Sequence, residues 1–219
     1  HHYQPPYFRL MERLNVEGTS PAPRILRPKR LMLSDIREID ADHVVDVRDP
    51  LAYASGHLPG SICLPVGMIS AFAGWFIREG ETIALVGSAE DHLVRIGLDS
   101  IVGGYVGIVP AAAQGMKMAS LPMIGTNEVQ DRLERKRDDW TLLDVRDLDE
   151  RRSGAIEGSD HIYVGELNSR FAELDRERAY SVMCASGMRA SVAAGWLQSK
   201  GFGKLDIYLG SMGAWQHAS

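Results

Sequence analysis

The sequence predicts an α/β protein built from two tandem domains, each a mostly parallel sheet flanked by helices. Three observations predict it. The first is an internal repeat. His43-Val-Val-Asp-Val-Arg-Asp49 recurs as Thr141-Leu-Leu-Asp-Val-Arg-Asp147, and Gly56-His-Leu-Pro-Gly-Ser61 recurs as Gly154-Ala-Ile-Glu-Gly-Ser159, both at an offset of 98 residues. A third echo, Ile83-Ala-Leu-Val-Gly87 against Tyr180-Ser-Val-Met-Cys184, sits at an offset of 97. A repeat this long describes two homologous domains rather than a solenoid unit. The second observation is the Gly and Pro punctuation between Pro110 and Gly125, which interrupts both helical and strand periodicity and marks a boundary. The third is the alternation of short apolar runs with helical patterns, which implies a parallel sheet covered by helices on both faces. The domains expected are a linker over 1–27, a first domain over 28–119 and a second over 120–219.

The elements are clearest in the second repeat. Thr126 is expected to cap a helix whose Val129 and Leu133 lie four apart on one face, with the basic Arg135-Lys-Arg137 run at its C-terminal end. Thr141 to Val145 is a short apolar run expected as a buried strand. His161 to Val164 and Tyr180 to Met183 are expected as further strands, with Glu166 to Phe171 helical between them. Ala190 to Ser199 carries Val192, Trp196 and Leu197 at helical spacing and stops at Lys200-Gly201. Leu205 to Leu209 then reads as strand and Ser211 to His217 as helix.

Composition narrows the function classes. The chain has 219 residues, 45% hydrophobic and 24% charged, an ordinary globular balance. A net charge of -5 gives no general attraction for phosphate backbones or anionic membranes, so neither nucleic acid nor a membrane is expected as partner. Two cysteines, Cys63 and Cys184, are too few for a disulfide framework, and a reducing cytoplasm fits them. The uncharged stretch from Ser100 to Met116 is too short and too rich in Gly and Pro to span a bilayer, and reads as strand plus connector. The chain starts without Met and without a basic-then-apolar leader, so it is expected to be a piece of a longer polypeptide.

The chemical centre is Cys184-Ala-Ser-Gly-Met-Arg189, at the end of one predicted strand and the start of a predicted helix. The C-terminal ends of strands are where open α/β sheets place ligand sites. Gly187 lets successive N–H groups turn inward at a helix N-terminus, forming a nest that favours an anion and hence a charged sulfur at Cys184. Arg189 adds a positive charge and several donors for a sulfur oxyanion or carboxylate, and Ser186 and Ser191 add hydroxyls. By composition alone a free cysteine is more often a buried small hydrophobe. That plainer role is assigned to Cys63, which sits on the apolar run Ser61-Ile-Cys-Leu-Pro65. Asp46, Arg48, Asp144 and Arg146 are read as structural ion pairs at strand ends rather than as acid and base.

These residues carry a family resemblance. The Asp-Val-Arg strand, the Gly-His-Leu-Pro-Gly-Ser turn, the Cys-x-x-Gly-x-Arg loop and the terminal Tyr208-Leu-Gly-Ser-Met-Gly-Ala-Trp215 together resemble a tandem rhodanese, over about 190 residues. The resemblance implies that Cys184 accepts a sulfane sulfur from thiosulfate or a persulfide, and passes it to cyanide, sulfite or a thiol. It further implies that Ala185, Ser186, Gly187, Met188 and Arg189 bind the substrate, with no cofactor and no metal. Four residues separate Cys184 from Arg189, where phosphatases and arsenate reductases of this fold usually carry five, so the count favours sulfur transfer over those alternatives. The segment His1-His-Tyr-Gln-Pro-Pro-Tyr-Phe-Arg-Leu-Met-Glu-Arg-Leu-Asn15 resembles the tail following a metallo-β-lactamase-fold domain in persulfide dioxygenase fusions, which would make such an upstream domain a partner within one polypeptide.

The first repeat departs at the decisive place, with Gly87 where the second has Cys184, and Glu90 and Asp91 nearby. It cannot form a persulfide. From that position to the following Gly-Leu or Gly-Phe it spends ten residues against seventeen, so its post-loop helix is expected to be shortened. This repeat is read as a noncatalytic spacer or docking surface. Ala155 in place of His57, and Tyr163 in place of Leu64-Pro65, are further departures in the turn of the second repeat. A noncatalytic regulatory or scaffolding module of a larger sulfur-metabolism enzyme is the competing reading of the whole chain.

Overall fold

The computed structural model describes residues 3–18 and 40–218. The boundary expected at 27/28 and the His1-His2 pair lie outside these residues. By contacts the chain forms two compact units, one of His2–Asp49 with His57–Met118, the other of Pro50–Gly56 with Ala119–Ser219.

The elements of the first half are α1 (Tyr7–Glu17), β1 (His43–Asp46), α2 (Pro50–Ser55), β2 (Ile62–Cys63), α3 (Ile69–Phe76), β3 (Ile83–Val86), α4 (Glu90–Val94), β4 (Ile101–Tyr105) and α5 (Val109–Ala113). Helix α1 lies inside the segment expected as linker. The four strands pair in the order β2-β1-β3-β4, every pair parallel. Strand β3 is buried along its whole length, as a strand covered on both faces must be. Helix α3 lays Ile69, Phe72, Ala73 and Phe76 into the core, and Leu58, Val86, Tyr105 and Ala111 pack together. The connector expected within Ser100 to Met116 contains α5, started by Pro110 in its first turn, where a missing N–H costs nothing.

The second half runs β5 (Met123–Ile124), α6 (Thr126–Glu134), β6 (Trp140–Asp144), α7 (Leu148–Arg152), β7 (Asp160–His161), α8 (Leu167–Arg170), β8 (Ala179–Met183), α9 (Met188–Ser199), β9 (Leu205–Tyr208) and α10 (Ser211–Ala218). Its sheet is parallel throughout in the order β5-β9-β8-β6-β7, which puts β8 at the centre. Val129, Trp140, Leu142, Ile156, Met183, Tyr208 and Met212 form one core cluster. Residues Ala190 to Leu197 of α9 are all buried, an unbroken run around the whole circumference of the helix.

Two sequence expectations need correction. Thr126 is not the cap of α6: Gly125 occupies that position without a side-chain bond, and the Thr126 hydroxyl meets the Tyr208 hydroxyl at 2.8 Å. A tertiary partner outcompetes the local capping bond. The strand expected over His161 to Val164 stops at His161, and Val164–Glu166 forms a 3-10 turn. Ile162 and Val164 still send their N–H groups to the carbonyls of Asp144 and Val145, so the apolar run is buried without extending the ladder. Among the described residues no helix is long and apolar enough to cross a membrane.

Candidate active site

Strand β8 delivers Cys184 to the C-terminal end of the sheet, where the chain leaves the ladder and turns into α9. Gly187 makes the turn. Its φ of +101° lies in the left-handed region, which a residue with a Cβ adopts only under strain. This turns the Gly187 N–H onto the Cys184 Sγ at 3.1 Å. Directly behind it begins a 12-residue helix whose first N–H groups have no acceptor within the helix, so its positive end faces the sulfur. Negative charge developing at Cys184, or on an atom bound to it, is met by backbone donors and a helix dipole.

A second loop locks this one. Ser211 is fully buried with φ of +53°; its hydroxyl accepts the Cys184 N–H at 3.1 Å and donates to the Tyr208 carbonyl at 2.8 Å. Met212 and Gly213 donate their N–H groups to the carbonyls of Cys184 and Ala185 at 3.0 and 2.9 Å. A Cβ on Gly213 would stand 3.3 Å from the Ala185 carbonyl oxygen, a tight contact that glycine avoids where the two loops meet. Cys184 is 1% exposed, Ser186 is exposed, and Met188 is 38% exposed. Ser191 does not offer its hydroxyl to the loop, because it donates to the Gly187 carbonyl at 3.0 Å.

Arg189 is engaged by Glu150, a residue that sequence reasoning missed. Its two terminal nitrogens donate to the two Glu150 carboxylate oxygens at 2.5 and 2.7 Å. Glu150 is held in turn by a capping box at the start of α7: Asp147 accepts the Glu150 N–H at 2.8 Å, and Glu150 accepts the Asp147 N–H at 3.2 Å. The signal was present in Asp147-Leu-Asp-Glu150, whose spacing is that of a capping box. The Arg189 hydrogen bonds, reinforced by Asp147, pull the Glu150 carboxyl down to about 2, and Glu150 raises the Arg189 guanidinium. A depressed carboxylate stabilises the fold above its unfolded value near 4.5, and this is lost as pH falls toward 2. The stability difference between wild type and Glu150→Gln is therefore expected to be full at neutral pH and to close between about pH 4.5 and pH 2 in acid titrations of unfolding.

The Asp-Arg pairs are structural, as read from sequence. Asp144 is fully buried and accepts from Arg146 at 2.7 to 3.2 Å and from Arg151 at 3.2 Å. In the first repeat Arg48 closes on Asp46 in the same way, at 2.6 Å. Cys63 is 1% exposed, and burial pushes its thiol far up, which suits a core residue.

The first repeat differs by more than a missing sulfur. Val47 and Val145 donate their N–H groups to Val86 and Met183, each at 2.9 Å, so Gly87 and Cys184 occupy equivalent places. Gly87 has φ of +102°, and a Cβ there would stand 2.8 Å from Val47 Cγ2. The helix that follows is five residues long against twelve, with Glu90 and Asp91 in its first turn. Gly87→Cys is thus expected to cost about 1–3 kcal/mol in denaturant melts, with no gain in sulfur transfer by the Cys184→Ser protein carrying it.

The Rhodanese-like domain family model matches residues 32–94 and 126–218. YtwF of Bacillus subtilis (strain 168), provisionally named a sulfurtransferase, is 33% identical over 75 residues, covering 34% of this chain and 72% of YtwF. YrkF of the same organism, provisionally named a sulfur carrier protein, is 34% identical over 74 residues, covering 34% of this chain and 40% of YrkF. A tRNA sulfurtransferase of Aeromonas salmonicida (strain A449) is 34% identical over 74 residues, covering 32% of this chain and 15% of that enzyme. The match thus takes in most of the first of these relatives and less than half of the other two. A rhodanese-related protein of Thermoplasma volcanium, solved by crystallography, aligns with a TM-score of 0.41 at 26% identity, over 45% of this chain and 93% of that one. With the family model covering most of the sequence in two blocks, one per repeat, the chain belongs to the rhodanese-like domain family.

Proposed function

We propose that this chain is a sulfurtransferase that moves a sulfane sulfur from thiosulfate or a persulfide to a thiophilic acceptor through a Cys184 persulfide. The observation that carries the proposal is the setting of Cys184: it ends the central strand, accepts the Gly187 N–H at 3.1 Å and lies at the head of α9. Relatives named for sulfur transfer support the class. Ala185, Ser186, Gly187, Met188 and Arg189 form the rim that receives the donor.

The chemistry needs no external oxidant or reductant. The Cys184 sulfur, as thiolate, attacks the outer sulfur of the donor. The donor's S–S bond breaks, and its electron pair leaves with sulfite from thiosulfate, or with a thiolate from an organic persulfide. Cys184 then carries a terminal sulfur whose negative charge the loop's N–H groups stabilise. Cyanide, sulfite or a thiol attacks that terminal sulfur, the Cys184 S–S bond breaks, and the thiolate returns. The four-residue spacing to Arg189 supports sulfur transfer over phosphate or arsenate chemistry.

In this reading the first repeat is a noncatalytic spacer or docking module, supported by Gly87 and its conformation. The parent polypeptide is proposed to carry an upstream metallo-β-lactamase-fold persulfide dioxygenase domain, supported by the resemblance of the His1 to Asn15 segment. A cytoplasmic setting is proposed from the two free cysteines. The test is thiocyanate formation from thiosulfate plus cyanide and from glutathione persulfide plus cyanide. Turnover of either donor is expected. A folded protein that turns over neither would instead support a scaffold.

A further inference from the structure

We propose that Glu150 is a specificity-determining residue of the sulfur-transfer site: by holding the Arg189 charge in a bidentate pair it disfavours dianionic thiosulfate, and the site prefers an organic persulfide. The inference rests on the sulfurtransferase reading above and concerns which donor that site selects.

Arg189 is the one cationic side chain in the loop from Cys184 to Arg189. A free guanidinium there would serve as a fork for the oxygens of a sulfonate-like group. Instead each terminal nitrogen gives an N–H to Glu150, at 2.5 and 2.7 Å, which turns the fork onto that carboxylate and offsets its charge. The pair is not a loose surface contact. The Arg189 side chain is 18% exposed, and the Asp147 capping box fixes the rotamer of Glu150. Arg189 also lies near enough to Cys184 for the two to interact electrostatically. The other two arginines of this corner, Arg146 and Arg151, are committed to Asp144. A donor approaching Cys184 therefore meets backbone dipoles and a neutralised ion pair rather than a net positive side chain.

That environment treats the two donor classes differently. Thiosulfate brings two negative charges and a small, strongly hydrated body, so it gains most from an available cation and loses most from a nearby carboxylate. An organic persulfide brings one negative charge at the reacting sulfur and a carbon stem. Exposed apolar side chains suit that stem: Met188, in the loop itself, is 38% exposed, and Leu209, just after β9, is 50% exposed. Leu209 is followed by Gly210, whose N–H lies 3.8 Å from the place of a Cβ on Gly187, so both side chains border the same loop pair.

Glu150→Gln removes the charge with little change of shape: its one amide oxygen can still accept the Asp147 N–H and one Arg189 N–H, where the carboxylate accepts from both Arg189 terminal nitrogens. With cyanide as acceptor, kcat/KM for thiosulfate is expected to rise about fivefold in Glu150→Gln, while that for an alkyl persulfide with an uncharged stem stays within about twofold. The gain is expected to shrink at high salt, since it is electrostatic. It is also expected to vanish in the Glu150→Gln, Arg189→Gln double variant, where no cation is left to release. An unchanged ratio of the two donors, or a gain that persists in the double variant, would overturn the proposal. If Glu150→Gln does not fold, Asp147→Asn keeps the cap while removing a second negative charge that acts on Arg189, and must shift the ratio the same way by a smaller amount. No turnover of either donor by wild type would remove the sulfurtransferase reading itself, whereas turnover with an unshifted ratio removes only the role of Glu150.

Discussion

Asp144→Ala is expected to destabilise the protein by about 3–5 kcal/mol, the cost of leaving a buried charge without its partner. Asp144 is fully buried and accepts from the Arg146 backbone, the Arg146 guanidinium and Arg151. Arg146 is itself 4% exposed and spends its remaining donors on the carbonyls of Glu150 and Gly154 at 3.4 and 2.8 Å. Arg151 reaches the Ser159 hydroxyl and carbonyl at 2.9 and 2.6 Å. One carboxylate therefore ties the end of β6 to α7 and to the turn from Gly154 to Ser159. Removing it leaves a guanidinium that water cannot reach and that has nowhere to relax. Since small domains are stable by about 5–15 kcal/mol, the loss should be plain in urea unfolding as a lower midpoint with an unchanged slope. Asp46→Ala should cost less, because Arg48 is 21% exposed and water can take over part of its solvation. A loss below about 1 kcal/mol for Asp144→Ala would show that the network is dispensable.

Cys184→Ser is expected to lower thiocyanate formation from either donor by about a thousandfold or more, to the rate without enzyme. A serine hydroxyl is a poor nucleophile toward sulfane sulfur and forms no persulfide to hand on. The fold should survive the change. Oxygen replaces sulfur within the same buried volume, and the Gly187 N–H that now meets Sγ can meet the hydroxyl. Thermal unfolding of the variant close to that of wild type would confirm that chemistry and not structure was lost. Retention of more than about a tenth of the wild-type rate would contradict a Cys184 relay.

Much of this was legible in the sequence because the signals are local. Short apolar runs such as Thr141 to Val145 and Tyr180 to Met183 are fully buried parallel strands, and the repeat offset aligned them before any packing was known. The alternation of Ala, Val, Trp and Leu after Met188 sufficed to find α9, and Gly187 announced its turn. Thr126 and the stretch after His161 were misread for opposite reasons: at Thr126 a tertiary partner, the Tyr208 hydroxyl, replaced the local cap, whereas after His161 a local 3-10 turn, closed by the Glu166 N–H on the Tyr163 carbonyl, replaced the strand that the apolar run suggested. Ser211 was hidden because it reaches Cys184 from 27 residues downstream through a buried left-handed turn, which no periodicity marks. Glu150 had its local sign in the capping box, but nothing along the chain says that Arg189, 39 residues on, would close on it. Gly87 was recognised as a missing cysteine. Its left-handed φ, and the Val47 side chain that fills the space of a Cβ, appear only in three dimensions.

The measurement that tests the central claim most directly is the mass of the protein after incubation, in separate samples, with thiosulfate and with glutathione persulfide, followed by proteolysis to the peptide containing Cys184. The account predicts an added mass of about 32 Da, one sulfur atom, on Cys184 and not on Cys63, removed by cyanide with release of thiocyanate. An unmodified Cys184 after incubation with both thiosulfate and glutathione persulfide, or an adduct that cyanide does not discharge, would contradict it.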